Sequence, residues 1–109
     1  MTITADLLSP RRPIVVIGAA FGDMILHLDA LPHSGSDVSA RDGGRQIGGC
    51  AFNVARALSR LELPLINAIP VGNGEWGQAV AQKMALENLP VLLRHHTHDN
   101  GWGVGLGEG

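Results

Sequence analysis

Residues 47–55 place two adjacent glycines, Gly48 and Gly49, immediately before a helical pattern that carries Asn53 in its first turn. A helix N-terminus presents unpaired N–H groups and a partial positive charge, so hydroxyl or phosphoryl oxygens bind there readily. Glycines let the backbone approach such a ligand because no Cβ stands in the way. The combination predicts a site that receives a polar small molecule.

A strand–helix alternation surrounds this segment. The β-branched run at residues 13–18 predicts a first strand that is buried on both faces, as in a parallel sheet. Residues 24–47 predict a short β ribbon. Its turns are expected at 33–35 and 42–44, and further strands are expected at 65–70, 91–93 and 102–106.

Two stretches, 51–61 and 75–88, have the apolar spacing of helices. The inward stripe of the first consists of Ala51, Val54, Ala55, Leu58 and Leu61, and that of the second of Trp76, Val80, Met84 and Leu86. The order of these elements predicts an α/β fold with a central, mainly parallel sheet flanked by helices.

Composition excludes several classes of function. The chain has 109 residues, which is one domain at most or part of a larger one. A net charge of −2 gives no basic field for nucleic acid or a membrane surface, and 4% aromatic residues provide few stacking platforms for bases. Cys50 is the only cysteine, so a reducing cytoplasm is expected. No apolar run approaches the ~18 residues of a membrane span, and residues 1–12 are expected to form a flexible leader.

Several segments, taken with their spacing, resemble the PfkB/ribokinase-like carbohydrate kinases. Residues 48–55, followed by Gly72, resemble the N-terminal signature of that family, and residues 15–18 with Gly22 and Asp23 resemble its first strand and sugar-contacting aspartate. Two further segments, 72–77 and 99–102, resemble the loop before the next helix and a segment of an uncharacterised sugar kinase branch. The resemblance implies that residues 13–109 are the N-terminal portion of a ribokinase-like domain, with a small β lid at about 24–47.

The resemblance also implies a role for each matching residue. Asp23 would accept hydrogen bonds from two hydroxyls of a sugar or ribosyl group, since an ionised carboxylate is acceptor-only and forms strong charge-assisted bonds. Gly48 and Gly49 would pass their backbone close to the sugar, and Asn53 would hold another hydroxyl. The lid would cover the substrate, exclude water and form a homodimer contact.

The sequence departs from the family pattern at several points. Phe21 stands where many relatives carry Asn, Cys50 stands where ribokinases often carry Lys, and Glu62 stands where Gly or Ser ends the helix. Glutamate in that last position is expected to cost ~1 kcal/mol, and Cys50 argues against ribose as the substrate.

The family's catalytic aspartate, in a Gly-Ala-Gly-Asp segment, and its nucleotide-binding half have no match in the 109 residues. We therefore expect the substrate-binding half of a kinase that uses ATP and Mg²⁺, with no catalytic residue of its own and no sugar phosphorylation by this chain alone.

Two other functions stay open. One is a non-catalytic remnant that binds a ligand or dimerises; the other is a small Rossmann-like nucleotide binder, although no helix follows the glycines at 103–107. No metal site is predicted, because adjacent histidines on the extended segment 95–98 point to opposite faces. Cys50 is expected to be buried at a packed turn, and Trp76 and Trp102 are expected in the core or at an interface.

Overall fold

The computed structural model describes residues 12–108; of the predicted leader, residues 1–11 lie outside the described residues. Along the chain the elements are β1 (Ile14–Ile17), β2 (Phe21–Leu28), β3 (Arg41–Gly48), α1 (Cys50–Arg60), β4 (Leu65–Ala68), α2 (Glu75–Leu86) and β5 (Trp102–Glu108).

The first sheet pairs β1 with β4 in parallel, from Ile14 opposite Leu65 to Ile17 opposite Ala68. Both helices pack around it, and the main core gathers at this sheet and the loops that follow its strands. The core consists of Val16, Ala20, Phe52, Ala55, Ile69, Val71, Val80, Met84 and Leu89. The α/β architecture predicted from the sequence is confirmed.

The second sheet has the order β3-β2-β5, with β2 antiparallel to β3 and parallel to β5. Strands β2 and β3 correspond to the ribbon predicted at 24–47 and are called the lid ribbon below. The predicted turn at 42–44 is wrong, because these residues form an irregularity within β3. Gly44 has φ +96° and donates its N–H to Asp42 Oδ1 over 2.8 Å, so the strand bulges there instead of ending.

Two predicted features of the first sheet are wrong. Only Val16 of β1 is buried in the described structure, since β1 has a strand neighbour on one side alone. Residues 91–93 form no strand; their pairing is limited to an isolated parallel bridge between Val71 and Arg94. The Ile69 N–H, two residues before Val71, donates to Asn67 Oδ1 over 3.4 Å and not to this segment, so the ladder is not extended.

The predicted helix stripes need correction at their margins. The buried residues of α1 are Phe52 and Ala55, whereas Val54 is 51% exposed, and Leu61, the C-cap, is 69% exposed. In α2 the inward positions 76, 80 and 84 are buried as predicted, but Leu86 is 78% exposed. Glu62 does adopt the left-handed conformation, with φ +57°, at the position where glycine was expected to be favoured.

Candidate functional site

Gly48 and Gly49 join the lid ribbon to α1. Gly48 is the last residue of β3, and Gly49 is the N-cap of α1. Gly49 has φ +109°, a backbone conformation that residues with a side chain rarely adopt. A Cβ on Gly49 would lie 2.7 Å from the Ala19 carbonyl oxygen and 3.3 Å from the Phe21 ring. Glycine therefore lets the loop between β1 and β2 pack directly against the start of α1.

Asp23 lies within β2, six residues after the end of β1. It is opposite Gln46 in the lid ribbon and is exposed. Gly48 lies two residues beyond Gln46, on the same face of the ribbon. A Cβ on Gly48 would be 3.7 Å from Asp23 Oδ2. The carboxylate therefore lies beside bare backbone at the end of β3.

Asn53 is in the first turn of α1 and is exposed. Its N–H donates to the Gly49 carbonyl over 3.0 Å, and its Oδ1 accepts a hydrogen bond from Arg56 Nη2 over 3.2 Å. The bond to Arg56 shows that this amide oxygen faces a side chain one turn along and does not cap the helix. The structure thus brings Asp23, Gly48, Gly49 and Asn53 to the junction of the lid ribbon and α1; their contact with a sugar stays a prediction.

Phe21 occupies the position where many relatives are expected to carry Asn, and its ring is half exposed. The ring lies between two glycines: a Cβ on Gly49 would be 3.3 Å from it, and a Cβ on Gly101 would be 3.0 Å from it. An aromatic ring therefore lies beside the candidate site, where many relatives are expected to have an amide side chain.

Asn100, for which no role was predicted, connects three segments of the chain. Its Oδ1 accepts from the Gly72 N–H over 2.7 Å, and its Nδ2 donates to the carbonyls of Ala20 (3.3 Å) and Pro70 (3.1 Å). These groups follow β1 and β4, so one amide fixes the loop before β2 to the loop before α2. Gly22 adds a backbone bond from its N–H to the Gly101 carbonyl over 2.9 Å.

Asp99 caps α2 from a distant part of the chain. Its carboxylate accepts hydrogen bonds from the N–H groups of Gly74 (3.1 Å), Trp76 (3.1 Å) and Gly77 (2.6 Å). Desolvation acts to raise the pKa of Asp99, but hydrogen bonds from these N–H groups and from that of Asn100 outweigh it and lower the pKa. The cap was not predictable from α2 itself, because the carboxylate comes from more than twenty residues downstream.

Trp76 of α2 packs against both the lid ribbon and β5. The buried Trp76 ring covers the bare backbone of Gly22 and stacks on Trp102 with 6.0 Å between ring centroids and 16° between planes. The Arg45 guanidinium lies over Trp76 at 5.1 Å. Trp76 is therefore a core residue as predicted, whereas Trp102 is 57% exposed and lies outside the core.

Other candidate groups have different surroundings from those expected. Cys50, the first residue of α1, is exposed, so the predicted burial is wrong. Within residues 12–108, no group of three or more His, Cys, Asp or Glu side chains could hold a metal ion. No helix among the described residues is long and apolar enough to cross a membrane.

The sequence of this chain is similar to those of known proteins. The sequence model described as pfkB family carbohydrate kinase matches residues 12–106. An uncharacterised sugar kinase, YegV of Escherichia coli K12, is 40% identical over 101 residues, which cover 93% of this chain and 32% of the relative. A ribokinase of Arabidopsis thaliana is 29% identical over 74% of this chain and 21% of its own length.

Solved structures share the fold. Ribokinase from Thermotoga maritima superposes with a TM-score of 0.74 at 18% identity, covering 84% of this chain and 31% of that one. Fructokinase with bound ATP from Xylella fastidiosa gives 0.64 at 21% identity, covering 86% and 29%. The predicted ribokinase-like fold is confirmed, and the chain spans about a third of the length of most of these relatives.

Proposed function

Because this chain belongs to the pfkB family of carbohydrate kinases, we propose that it binds the acceptor of a phosphoryl transfer, a sugar or a nucleoside whose hydroxyl receives phosphate from ATP. Asp23 accepts hydrogen bonds from two hydroxyls of this acceptor, and Asn53 holds a third. Gly48 and Gly49 allow the ring to lie against the backbone. The resemblance found in the sequence assigns these roles.

The observation that supports the proposal is the position of the Asp23 carboxylate, beside Gly48 and next to the start of α1. An acceptor-only carboxylate, bare backbone and a helix N-terminus are complementary to a ligand with several hydroxyls. Phe21 closes one side with an apolar ring, which suits the carbon face of a sugar better than another hydroxyl.

The described residues do not fit Mg²⁺ and ATP. Of the four predicted site residues only Asp23 is a carboxylate, and no Gly-Ala-Gly-Asp segment occurs in the 109 residues. A kinase of this type needs a base for the acceptor hydroxyl and donors for the charge on the transferred group. We therefore propose that this chain alone binds the acceptor weakly and transfers no phosphate.

The lid ribbon has a second proposed role as a contact between two copies, with a cytoplasmic location suggested by the lone, exposed Cys50 thiol. Among residues 12–108, the third strand of its sheet, β5, pairs on one side only, and it offers this edge and half-exposed apolar side chains to such a contact.

The first experiment measures acceptor binding by the purified chain. Sugars and nucleosides are titrated at high concentration while backbone amide shifts are followed by NMR. The shifts are expected at Asp23, Gly48, Gly49 and Asn53. Replacing Asp23→Asn should weaken binding about tenfold or more, since a charge-assisted hydrogen bond contributes roughly 1.5–3 kcal/mol.

Asp37→Asn is the matched control, because it removes the same charge from an exposed carboxylate far from α1. Equal affinity of the Asp23 and Asp37 variants would show that the pocket is assigned to the wrong residues. ADP release from ATP, with any acceptor that binds, would disprove the inactivity proposed for this chain. Absence of binding by every acceptor would favour a dimerisation remnant.

A further inference from the structure

Positive charge is concentrated in one cleft of this acidic chain. The cleft has a volume of about 480 Å³ and lies between β3, α1 and α2. Its lining includes three of the eight Lys and Arg residues and no carboxylate. The lining residues are Arg45, Gln46, Ile47, Arg56, Ala79, Gln82, Lys83 and Leu86. Such a basic cluster is not expected from the overall composition, because the chain has a net charge of −2.

Sequence spacing explains how α2 contributes to this cleft. Its lining residues occupy positions 79, 82, 83 and 86, which share one face of a helix. The adjacent face of the helix carries Trp76, Val80 and Met84 into the core. Gln82 and Lys83 thus stand on a rigid element, facing a strand and a second helix that supply the arginines.

Buried aromatic rings hold both arginines in place. The Arg45 guanidinium lies 5.1 Å from the centroid of Trp76, and the Arg56 guanidinium lies 5.7 Å from that of Phe52. Both rings are buried. Stacked guanidinium groups lose less conformational freedom when they bind an anion, which raises the affinity of the site.

Nearby carboxylates leave much of this charge uncompensated. Glu87 accepts hydrogen bonds from Arg60 Nε (2.9 Å) and Nη2 (2.5 Å), which lower its pKa, and the charges of Lys83 and Arg56 act on it in the same direction. Glu75 approaches Arg45 at only 3.9 Å and has an 84% exposed side chain, so this pair is weak. Most guanidinium N–H donors of Arg45 and Arg56 therefore have capacity for a ligand.

We propose that this cleft binds a small phosphorylated molecule, whose phosphate or diphosphate group is held by Arg45, Arg56 and Lys83. Forked guanidinium donors match phosphate oxygens bidentately, and the lysine adds a compact charge. Gln46 and Gln82 provide amides for the rest of the ligand. Three cations in one short cleft suit a small anion and not the extended phosphate backbone of a nucleic acid, which needs a longer basic stripe.

The cleft is also connected to the candidate acceptor site. Arg56 donates to Asn53 Oδ1, and the two residues are one turn apart on α1. A phosphate that draws the guanidinium toward itself frees this oxygen for a sugar hydroxyl, so the two ligands would assist each other. This coupling rests on the proposed function, whereas the anion site does not.

The test is an NMR titration of the intact chain with inorganic pyrophosphate and, separately, with glucose 6-phosphate. Ionic strength is kept near 0.15 M, where the Debye length is about 8 Å and loose surface attraction is screened. We expect saturable shifts of the Arg45 and Arg56 Nε–H signals and of backbone amides at 46, 47, 79 and 82. Either ligand supports the site, and their difference indicates whether a diphosphate or a sugar monophosphate fits.

Arg56→Gln and Lys83→Gln should each weaken binding about tenfold, with the backbone spectrum otherwise retained. Arg56→Lys keeps the charge and removes the fork, so it should give an intermediate loss. The control is Arg41→Gln, at the other end of β3, where the guanidinium pairs with Asp29. An equal loss in the control, absence of saturation with both ligands, or equal binding of citrate would overturn the proposal.

Discussion

At the residue scale, Asn100 joins backbone groups that lie far apart in the chain. Its amide contacts Gly72, Pro70 and Ala20, and the Gly72 backbone is buried. Asn100→Ala leaves that N–H without its acceptor, which should lower the free energy of unfolding by about 2 kcal/mol. Urea unfolding monitored by circular dichroism measures the change.

Asn73 provides the comparison for Asn100. Its amide donates to the His96 carbonyl over 2.7 Å, but the contact is exposed, so water can replace it. Asn73→Ala should therefore cost less than about 1 kcal/mol. If both variants lost the same stability, Asn100 would not connect the loops in the way its three contacts indicate.

Asp99 makes stability depend on pH. Its folded pKa is lowered, so its contribution is complete above the unfolded value of about 3.9 and is lost as pH falls through the folded value. Asp99→Asn should lower the free energy of unfolding at pH 7 by about 1 kcal/mol, the usual effect of a helix cap. The difference from the wild-type chain should shrink as pH falls through the folded pKa of Asp99.

Unfolding by urea at a series of pH values tests this, with Asp37→Asn as a control that leaves the α2 cap intact. A gap between Asp99→Asn and the wild type that stayed constant down to the acid limit would mean that the carboxylate charge does not stabilise the helix.

The candidate site could be predicted from the sequence where its parts are neighbours in the chain. Gly48, Gly49 and Asn53 lie within six residues, so the end of a strand and the start of a helix bring them together without tertiary information. Asp99 and Asn100 act on groups 22 to 80 residues away, and no local pattern indicates such partners. Even Cys50, beside the glycines, was wrongly predicted to be buried, because adjacency does not determine which way a side chain points.

At the element scale, one glycine sets the distance between the lid ribbon and α2. A Cβ at Gly22 would fall within the Trp76 ring, and that ring is held between β2, Trp102 and Arg45. Gly22→Ala should therefore force the strand from the helix and lower the free energy of unfolding by about 1–3 kcal/mol, as overpacking usually does.

Gly103 is the matched control, since it lies in the neighbouring strand β5 and a Cβ there would meet no atom within 4 Å. Gly103→Ala should leave stability within about 0.5 kcal/mol of the wild type. Thermal unfolding distinguishes the two. Equal melting temperatures for the two variants would show that the Trp76 packing is loose enough to accept a methyl group.

Helices and strands could be predicted where the local sequence determines them, and less well where they depend on a pairing partner. Both helices and all five strands of the described residues lie near predicted positions, since apolar periodicity and glycine turns suffice for these. The bulge at Gly44 was predicted as a turn because Asp-Gly-Gly suits both. Residues 91–93 form no strand because a ladder depends on the partner, and there the Ile69 N–H donates to Asn67 Oδ1 instead.

At the scale of the whole molecule, the described residues leave more large apolar side chains at the surface than in the core. Fifteen are exposed, whereas the core contains eleven apolar residues, two of them alanines. On β5 the exposed set alternates with glycine, so Trp102, Val104 and Leu106 share one face of an edge strand. Such an edge attracts another chain through both its apolar side chains and its unpaired backbone groups.

The purified chain is therefore expected to self-associate as its concentration rises, in keeping with the proposed contact through the lid ribbon and β5. Sedimentation velocity should show species larger than the 11.5 kDa monomer. Val104→Lys with Leu106→Lys should shift the equilibrium toward monomer, because charge on an edge strand opposes pairing. A change of Leu86→Lys with Leu61→Lys adds the same charge at exposed helix ends and should shift it less. A monomer at every concentration would exclude the contact, and equal effects of the two double variants would place it elsewhere than β5.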